Sequence, residues 1–286
     1  MFFLFIGITV CTQKTYVPDD NFEQALIDGS IFTENQITTV DSAIEHFAKT
    51  LRESEIIDSD SDGECDATDD FPNDPNKAFS MKSARMNFMY EDLFPAYGDF
   101  DFNDLVVSTD KEVITDADND LRFLKLKVVI PAAGSSINQG WALELKGINP
   151  ADVASITGNS LTESVVTVGG NGTENAQTNA VIPIFDNQNT VISSNGGPFF
   201  NTVPSAPVGT CDTLVVMIEF KKSSALTIGD LDYNFFAFRT DARGHEIHEM
   251  GNSPTDLADL TLFNTKVDDS NVGSGDTYVS VDGLPW

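Results

Sequence analysis

The sequence predicts a mainly β protein: an antiparallel, jelly-roll-like β-sandwich, preceded by a short α-helical N-terminal region and a calcium-binding loop. Three observations carry that reading. From Met81 onward, apolar residues recur at every second position in several separate segments. Gly, Asn and Pro stand between those segments. A hydrophobic content of 41%, with 21 Phe in 286 residues, is enough for a substantial core.

Period two sends alternate side chains to opposite faces of a strand. In residues 122–130, Leu124, Leu126, Val128 and Ile130 are apolar, while Lys125 and Lys127 point the other way. Trp141, Leu143 and Leu145 alternate with Ala142, Glu144 and Lys146, and Leu214, Val216, Ile218 and Phe220 form a third such run. The loops at 169–179 and 195–209, rich in Gly, Asn, Ser, Thr and Pro, suit either recognition or tolerated insertion. No internal repeat is visible beyond one acidic loop.

Ahead of the sandwich, residues 2–10 read FFLFIGITV, an apolar run of signal-peptide length and too short to span a bilayer. It lacks a basic n-region. Val10 stands before Cys11 where a lipobox needs a small residue, so a secretory signal cleaved near Gln13 is expected in preference to a lipid anchor. Residues 1–13 are therefore read as the remnant of a targeting segment. Export would permit Cys65 and Cys211 to pair. Residues 14–57 form the helical region. Pro18 to Asp28 has an acidic first turn and Gly29 as its stop, and Asp41 caps 42–51, where Ile44, Phe47, Ala48 and Leu51 fall at helical spacing. His46 is placed on the surface.

Residues 58–78 carry the acidic loop, Asp58-Ser-Asp60-Ser-Asp62-Gly63-Glu64-Cys-Asp66-Ala-Thr-Asp69-Asp70-Phe-Pro72. Carboxylates at places one, three and five with Gly at six are how a short loop wraps oxygens around Ca²⁺. Glu64 then falls at place seven, a backbone-carbonyl position, with Asp66 at nine and Asp69 at twelve. An EF-hand would want Glu at twelve and a helix behind it, which Pro72 disfavours. The bland alternative is a solvated acidic linker. The pattern D-x-D-x-D-G-x-x-D-x-x-D-x-x-P resembles a thrombospondin type-3 calcium repeat, present once, and that resemblance implies a Ca²⁺ clip.

A second constellation lies at 90–107. Asp99, Asp101 and Asn103 alternate with Phe100 and Phe102, so an extended backbone would put oxygens on one face and rings on the other, with Asp104 following as cap or ligand. Two readings stand level: a hard-cation site assisted by Glu91 or Asp92, or a turn whose Asp and Asn satisfy backbone N–H groups. The phrase E-D-x-x-P-x-x-G-D-x-D-F-N-D-L-V-V resembles the opening of the LruC-domain family of bacterial exported proteins. Further pieces follow in order: Ala132-Ala-Gly134, Asn138-Gln-Gly140-Trp141-Ala-Leu-Glu-Leu145, Arg243-Gly-His-Glu246-Ile247-His248, Pro254-Thr255, Ala258-Asp259 and Leu284-Pro285-Trp286. The resemblance covers residues 79–286 and implies an exported or surface β-rich protein, with no activity to carry over. Family members run on past Leu-Pro-Trp, so a C-terminal truncation is expected. TYVPDDNFEQALID likewise resembles the opening of secreted Bacteroidetes surface proteins.

The formal charge of −29 argues against nucleic acid or an anionic membrane as partner, since phosphates would be repelled. No catalytic motif emerges. His245-Glu246-Ile247-His248 spaces its histidines three apart, so on a strand they face opposite ways, unlike the i, i+4 pair of a zinc protease. The sequence shows no phosphate loop and no nucleophile elbow, and it brings no two carboxylates to glycosidase separation. The expectation is a non-enzymatic binding or adhesion module of the bacterial surface, holding Ca²⁺ and directed at a glycan or surface protein. The rivals are a carbohydrate hydrolase and a purely structural component.

Overall fold

The alternating segments form strands because a pleat sorts neighbours to opposite faces: β6 and β12 keep a more polar face outward, whereas the 139–146 run is buried on both faces, Ala142 and Glu144 included. The computed structural model describes residues 57–193, 196–197 and 199–286, together with two short strands, β1 (Ile8–Val10) and β2 (Gln13–Thr15), which pair antiparallel. The helices expected within 18–28 and 42–51 lie outside the described residues. The chain divides into two units: one runs up to Phe79 and includes Thr115–Asn119, and the other comprises Ser80–Ile114 and Asp120–Trp286.

The second unit is built on two sheets. The larger contains β3 (Phe79–Lys82), β4 (Met86–Tyr90), β5 (Leu105–Thr115), β6 (Leu121–Ala132), β8 (Val153–Thr157) and β12 (Leu214–Phe220) in the order β3-β5-β6-β12-β8. The 11 residues of β5 are enough to hold both β3 and β4 along one edge. The smaller sheet runs β14-β13-β7-β9, from β7 (Gln139–Lys146), β9 (Ala180–Phe185), β13 (Asp232–Arg239) and β14 (Ala242–His248). The pairs β4–β5, β6–β12, β8–β12, β7–β13, β13–β14 and β7–β9 are all antiparallel. A two-stranded ribbon of β10 (Ile192–Ser193) and β11 (Thr210–Cys211) stands apart. From β6 to β13 the main connections cross between sheets, the jelly-roll-like feature of the topology.

The expected inward positions of all three runs join one core: Leu124, Leu126, Val128 and Ile130 of β6, Trp141, Leu143 and Leu145 of β7, and Val216, Ile218 and Phe220 of β12, with Leu214 packed at its margin. Trp141 stacks on Phe235 at 4.8 Å, and its indole N–H donates to the Tyr90 hydroxyl at 3.0 Å, so the buried ring leaves no orphan donor. The Leu284-Pro285-Trp286 motif folds back onto this core, with the Trp286 ring edge-on to Phe94 at 5.5 Å.

The opposite face of the four-stranded sheet is also covered. Ala142, Val181, Phe236 and Phe238 form a small second cluster there with Val165 and Val166. The 169–179 loop is thus a structural cover: Thr173 and Glu174 are buried, and Asn171 ties it down by donating to the Pro150 and Val153 carbonyls. Cys65 is disulfide-bonded while Cys211 carries a free thiol, so the pairing of these two that export permitted does not form.

Candidate metal centres

In the 58–69 loop, Asp58, Asp60, Asp62 and Asp69 each accept from the backbone that positions them. Ser61 and Gly63 donate their N–H groups to Asp58, at 2.7 and 3.1 Å, closing the turn. Asp62 N–H donates to Asp60 Oδ1 at 3.2 Å, Glu64 N–H to Asp62 Oδ1 at 2.8 Å, and Phe71 N–H to Asp69 Oδ1 at 2.6 Å. The bend runs through Ser61 at φ +65° and Gly63 at φ +103°; open space surrounds Gly63, so glycine serves the backbone angle and not the packing.

The first three carboxylates then converge. Asp58, Asp60 and Asp62 each offer a carboxylate oxygen within 4.8 Å of the others. Oδ2 of Asp60, of Asp62 and of Asp69 is buried with no hydrogen-bond partner. Burial, followed by the charges of Asp62, Asp60 and Glu64, raises the Asp69 carboxyl above its usual range, despite the Phe71 N–H bond. Two like charges at roughly 4 Å repel by about 1 kcal/mol in water and about 4 kcal/mol near a protein surface. That is comparable with the gain from several of the loop's own hydrogen bonds, at about 1 kcal/mol each. Orphaned, buried anionic oxygens are donors a hard divalent cation takes, so Asp60 and Asp62 with Asp58 beside them fit Ca²⁺, and Asp69 lies near enough to feel the Asp60 and Asp62 charges.

Two of the expected ligands stand differently. Asp66 accepts from both Ser59 N–H and Ser59 Oγ, at 2.8 and 2.7 Å, and so clips the loop closed. Glu64 accepts from the Thr68 hydroxyl, and its side chain is buried.

The 99–104 segment is organised by Glu91, whose side chain is fully buried. It accepts the N–H of Phe102 at 2.6 Å and of Phe100 at 3.1 Å. Both phenylalanines sit at positive φ, +54° and +55°, so the alternation of acids and rings does not come from an extended strand as expected. The tight loop still brings oxygens of Glu91, Asp99 and Asp101 within 4.8 Å of one another. Gly98 makes this possible, since a Cβ there would lie 2.8 Å from Glu91 Oε2. Burial raises the Glu91 carboxyl, and the Asp99 and Asp101 charges add to the shift while the two N–H bonds oppose it.

Asn103 and Asp104 do not join that trio. Asn103 leans on Asp101 through its side-chain amide. Asp104 turns to Asp92, whose N–H it accepts at 2.9 Å, and burial together with the Asp92 charge pushes Asp104 up to about 7. Asp92 in turn accepts from the Ser135 hydroxyl.

The His245 to His248 stretch lies on β14, and its histidines face opposite ways. His245 contacts the Phe94 carbonyl, while His248 stacks on Phe236 at 4.4 Å and bonds Glu246 at 2.9 Å and Asn234 at 2.8 Å. A buried polar network that sequence reasoning missed continues from there. Arg243 reaches Glu174 and Glu246, Thr255 donates to Glu246, and Asn234 links His248 to Glu144. Its members lie far apart in the chain, and the signal was only a set of charged residues on strands that otherwise alternate.

An antiparallel two-sheet β-sandwich bearing acidic loops is the class this fold and these sites define. The chain belongs to the family described as Domain of unknown function (DUF4842), whose model matches residues 119–286. Both acidic constellations lie before the matched stretch. A similar solved structure is that of a provisionally assigned lipoprotein from Bacteroides ovatus, at 17% identity and a TM-score of 0.47, covering 72% of this chain. The chain spans 64% of the length of that protein. No curated protein matches the chain. Among the described residues no helix is long and apolar enough to cross a membrane.

Proposed function

We propose that this chain is an exported, calcium-binding β-sandwich module of the bacterial cell surface, acting in binding or adhesion and not in catalysis. The observation that carries it is the pair of buried, unpartnered Oδ2 atoms of Asp60 and Asp62 in one cluster with Asp58, with a third such atom on Asp69, which feels the Asp60 and Asp62 charges. Asp58, Asp60, Asp62 and Asp69 hold the ion, with Glu64 at the backbone-carbonyl position and Asp66 as the clip. Ca²⁺ takes about six to eight oxygens, so carbonyls and water complete the shell. The resemblance to a thrombospondin type-3 repeat ahead of an LruC-like domain supports the same reading.

Export is supported by the apolar 2–10 run, which has the length of a secretory signal. A binding role is supported by the burial of Glu144, Glu174, Glu246 and His248, which puts this network of titratable groups out of reach of a substrate. Glu91, Asp99 and Asp101 form a second, looser cation site under this reading.

Limited proteolysis tests the first site. Ca²⁺ at millimolar concentration exceeds the Kd of about 10⁻⁴–10⁻³ M common to extracellular modules, so cleavage between Ser59 and Thr68 is expected in EDTA and suppressed in Ca²⁺. The double variant D60N/D62N is expected to be cut equally in both. Equal cleavage of the wild-type chain in the two conditions overturns the assignment.

A further inference from the structure

Acidic residues outnumber basic ones by 45 to 16 in this chain, yet one face of the six-stranded sheet reverses the balance. A cavity of about 240 Å³ there is lined by Lys82, Ser83, Asp110, Lys111, Glu112, Lys125 and Lys127. Glu112 is shared by two lysines, Lys125 at 3.0 Å and Lys82 at 3.5 Å. Asp110 is held by Arg85 through two bonds, at 3.1 and 2.7 Å. Exposed Lys127 makes no ion pair among the described residues. Lys111 turns to the other side of β5, its ammonium 3.6 Å from the Tyr233 ring centroid, so Lys82, Arg85, Lys125 and Lys127 face the two carboxylates and the surplus positive charge stands at the Lys127 wall.

The chemistry beside that wall narrows the ligand. In β12, Met217 lies directly across from Lys125 and Val215 directly across from Lys127; Val215 is 44% exposed. Together they offer an apolar shelf next to the ammonium groups. Ser83, Asp110 and Glu112 supply a donor and acceptors suited to hydroxyls. A ring with one apolar face, several hydroxyls and one negative group matches all three features. The field of the whole chain, at −29, repels a polyanion, whereas a ligand with a single negative group is drawn by the local excess.

We propose that this groove binds an acidic sugar, a hexuronate unit whose carboxylate meets Lys127 and Lys125 while its ring rests on Val215 and Met217. This names a ligand class for the binding module proposed above and rests on that reading, but it uses no residue of either acidic loop.

The test is titration of the ¹⁵N-labelled full chain with glucuronic acid, glucose, sodium sulfate and heparin, with Ca²⁺ and with EDTA. A weak site for a ligand of this size has a Kd on the order of 1 mM. Glucuronate is expected to saturate shifts in β5, β6 and β12 in that range, with glucose and sulfate silent and heparin no tighter. Lys127→Glu is expected to raise the Kd at least tenfold, and Lys127→Gln to raise it less, with both variants folded by their ¹⁵N spectra, since Lys127 is exposed and acts on Asp110 through its charge without a close ion pair. Equal binding of sulfate shows a bare anion site and overturns the proposal. So do equal binding of glucose, tighter binding of heparin, or indifference to both variants. If binding is unaffected by EDTA, the groove stands independently of the calcium loop; if it vanishes in EDTA, the groove assignment fails while the calcium reading survives.

Discussion

Arg243 holds Glu174, a residue 69 positions earlier, with its Nε 2.6 Å and its Nη2 2.5 Å from the two carboxylate oxygens. The same guanidinium reaches Glu246 and lies over the rings of Phe236 and Phe238, at 5.1 and 4.9 Å. One guanidinium therefore bridges two buried carboxylates, with His248 also bonded to Glu246. Removing it strands both, whereas removing Glu174 leaves an even pair. Breaking a buried pair by deleting one partner costs about 3–5 kcal/mol. Arg243→Met is expected at or above the upper end of that range, and Glu174→Gln near or below its lower end. Chemical denaturation of the two variants checks this, and the reverse order would show that the network does not carry charge as described.

Glu246 makes the network sensitive to acid. Burial alone would raise its carboxyl, but the hydrogen bond and field of His248, the Arg243 charge and the Thr255 hydroxyl outweigh it and hold it down at about 2. A carboxyl depressed in the folded state stabilises the fold above its unfolded value near 4.5 and loses that contribution as pH falls towards 2. The full effect is about 3 kcal/mol. Thermal melts between pH 5 and pH 2 are expected to drop steeply, and Glu246→Gln is expected to flatten that slope. Parallel slopes in the two proteins would place the acid sensitivity elsewhere.

The packing of β7 against β13 can be tested at one atom. Gly140 pairs with Phe238 across the ladder, and a Cβ on it would lie 2.2 Å from Phe238 Cζ. The ring is buried beneath Arg243, so it cannot swing aside without disturbing the clamp. Overpacking of this kind costs about 1–3 kcal/mol. Gly140→Ala is expected to lower the urea midpoint accordingly. Gly170→Ala, where nothing stands within 4 Å, is expected to leave it unchanged. Equal midpoints for both variants would contradict the close approach.

These three tests touch features that differ in how far they could be read ahead of the structure. Leu124, Leu126, Val128 and Ile130 all face the core, because a pleat sorts neighbours by parity alone. Asp58, Asp60 and Asp62 converge for a similarly local reason, the turn at Gly63. Asp66 does not aim with them, because Ser59, seven residues back, supplies two donors that its spacing could not reveal. Phe100 and Phe102 depart from the extended reading because Glu91, nine and eleven residues earlier, captures both their N–H groups. The Arg243 clamp was invisible for the same reason on a larger scale. Period and spacing report local geometry, and partners brought together by the sheet leave no mark on either.

The Glu91, Asp99 and Asp101 cluster separates the two readings left open for its segment. As a turn, the segment needs the Glu91 carboxylate to hold Phe100 and Phe102 and the Asp101 carboxylate to hold Asn103. Burial raises the Glu91 carboxyl and the Asp99 and Asp101 charges add to it, a repulsion that a cation among the three would relieve. The variant D99N/D101N keeps size and hydrogen-bonding capacity while removing two charges. Under the cation reading, calcium stoichiometry by equilibrium dialysis falls from two ions per chain to one, and the 58–69 loop keeps its protection from protease in Ca²⁺. Under the turn reading, stoichiometry stays the same, and relief of repulsion around Glu91 raises the melting temperature in EDTA and in Ca²⁺ alike. A cation site predicts that rise in EDTA only. The comparison of melts with and without Ca²⁺ therefore decides between them even where the second ion binds too weakly for dialysis to count.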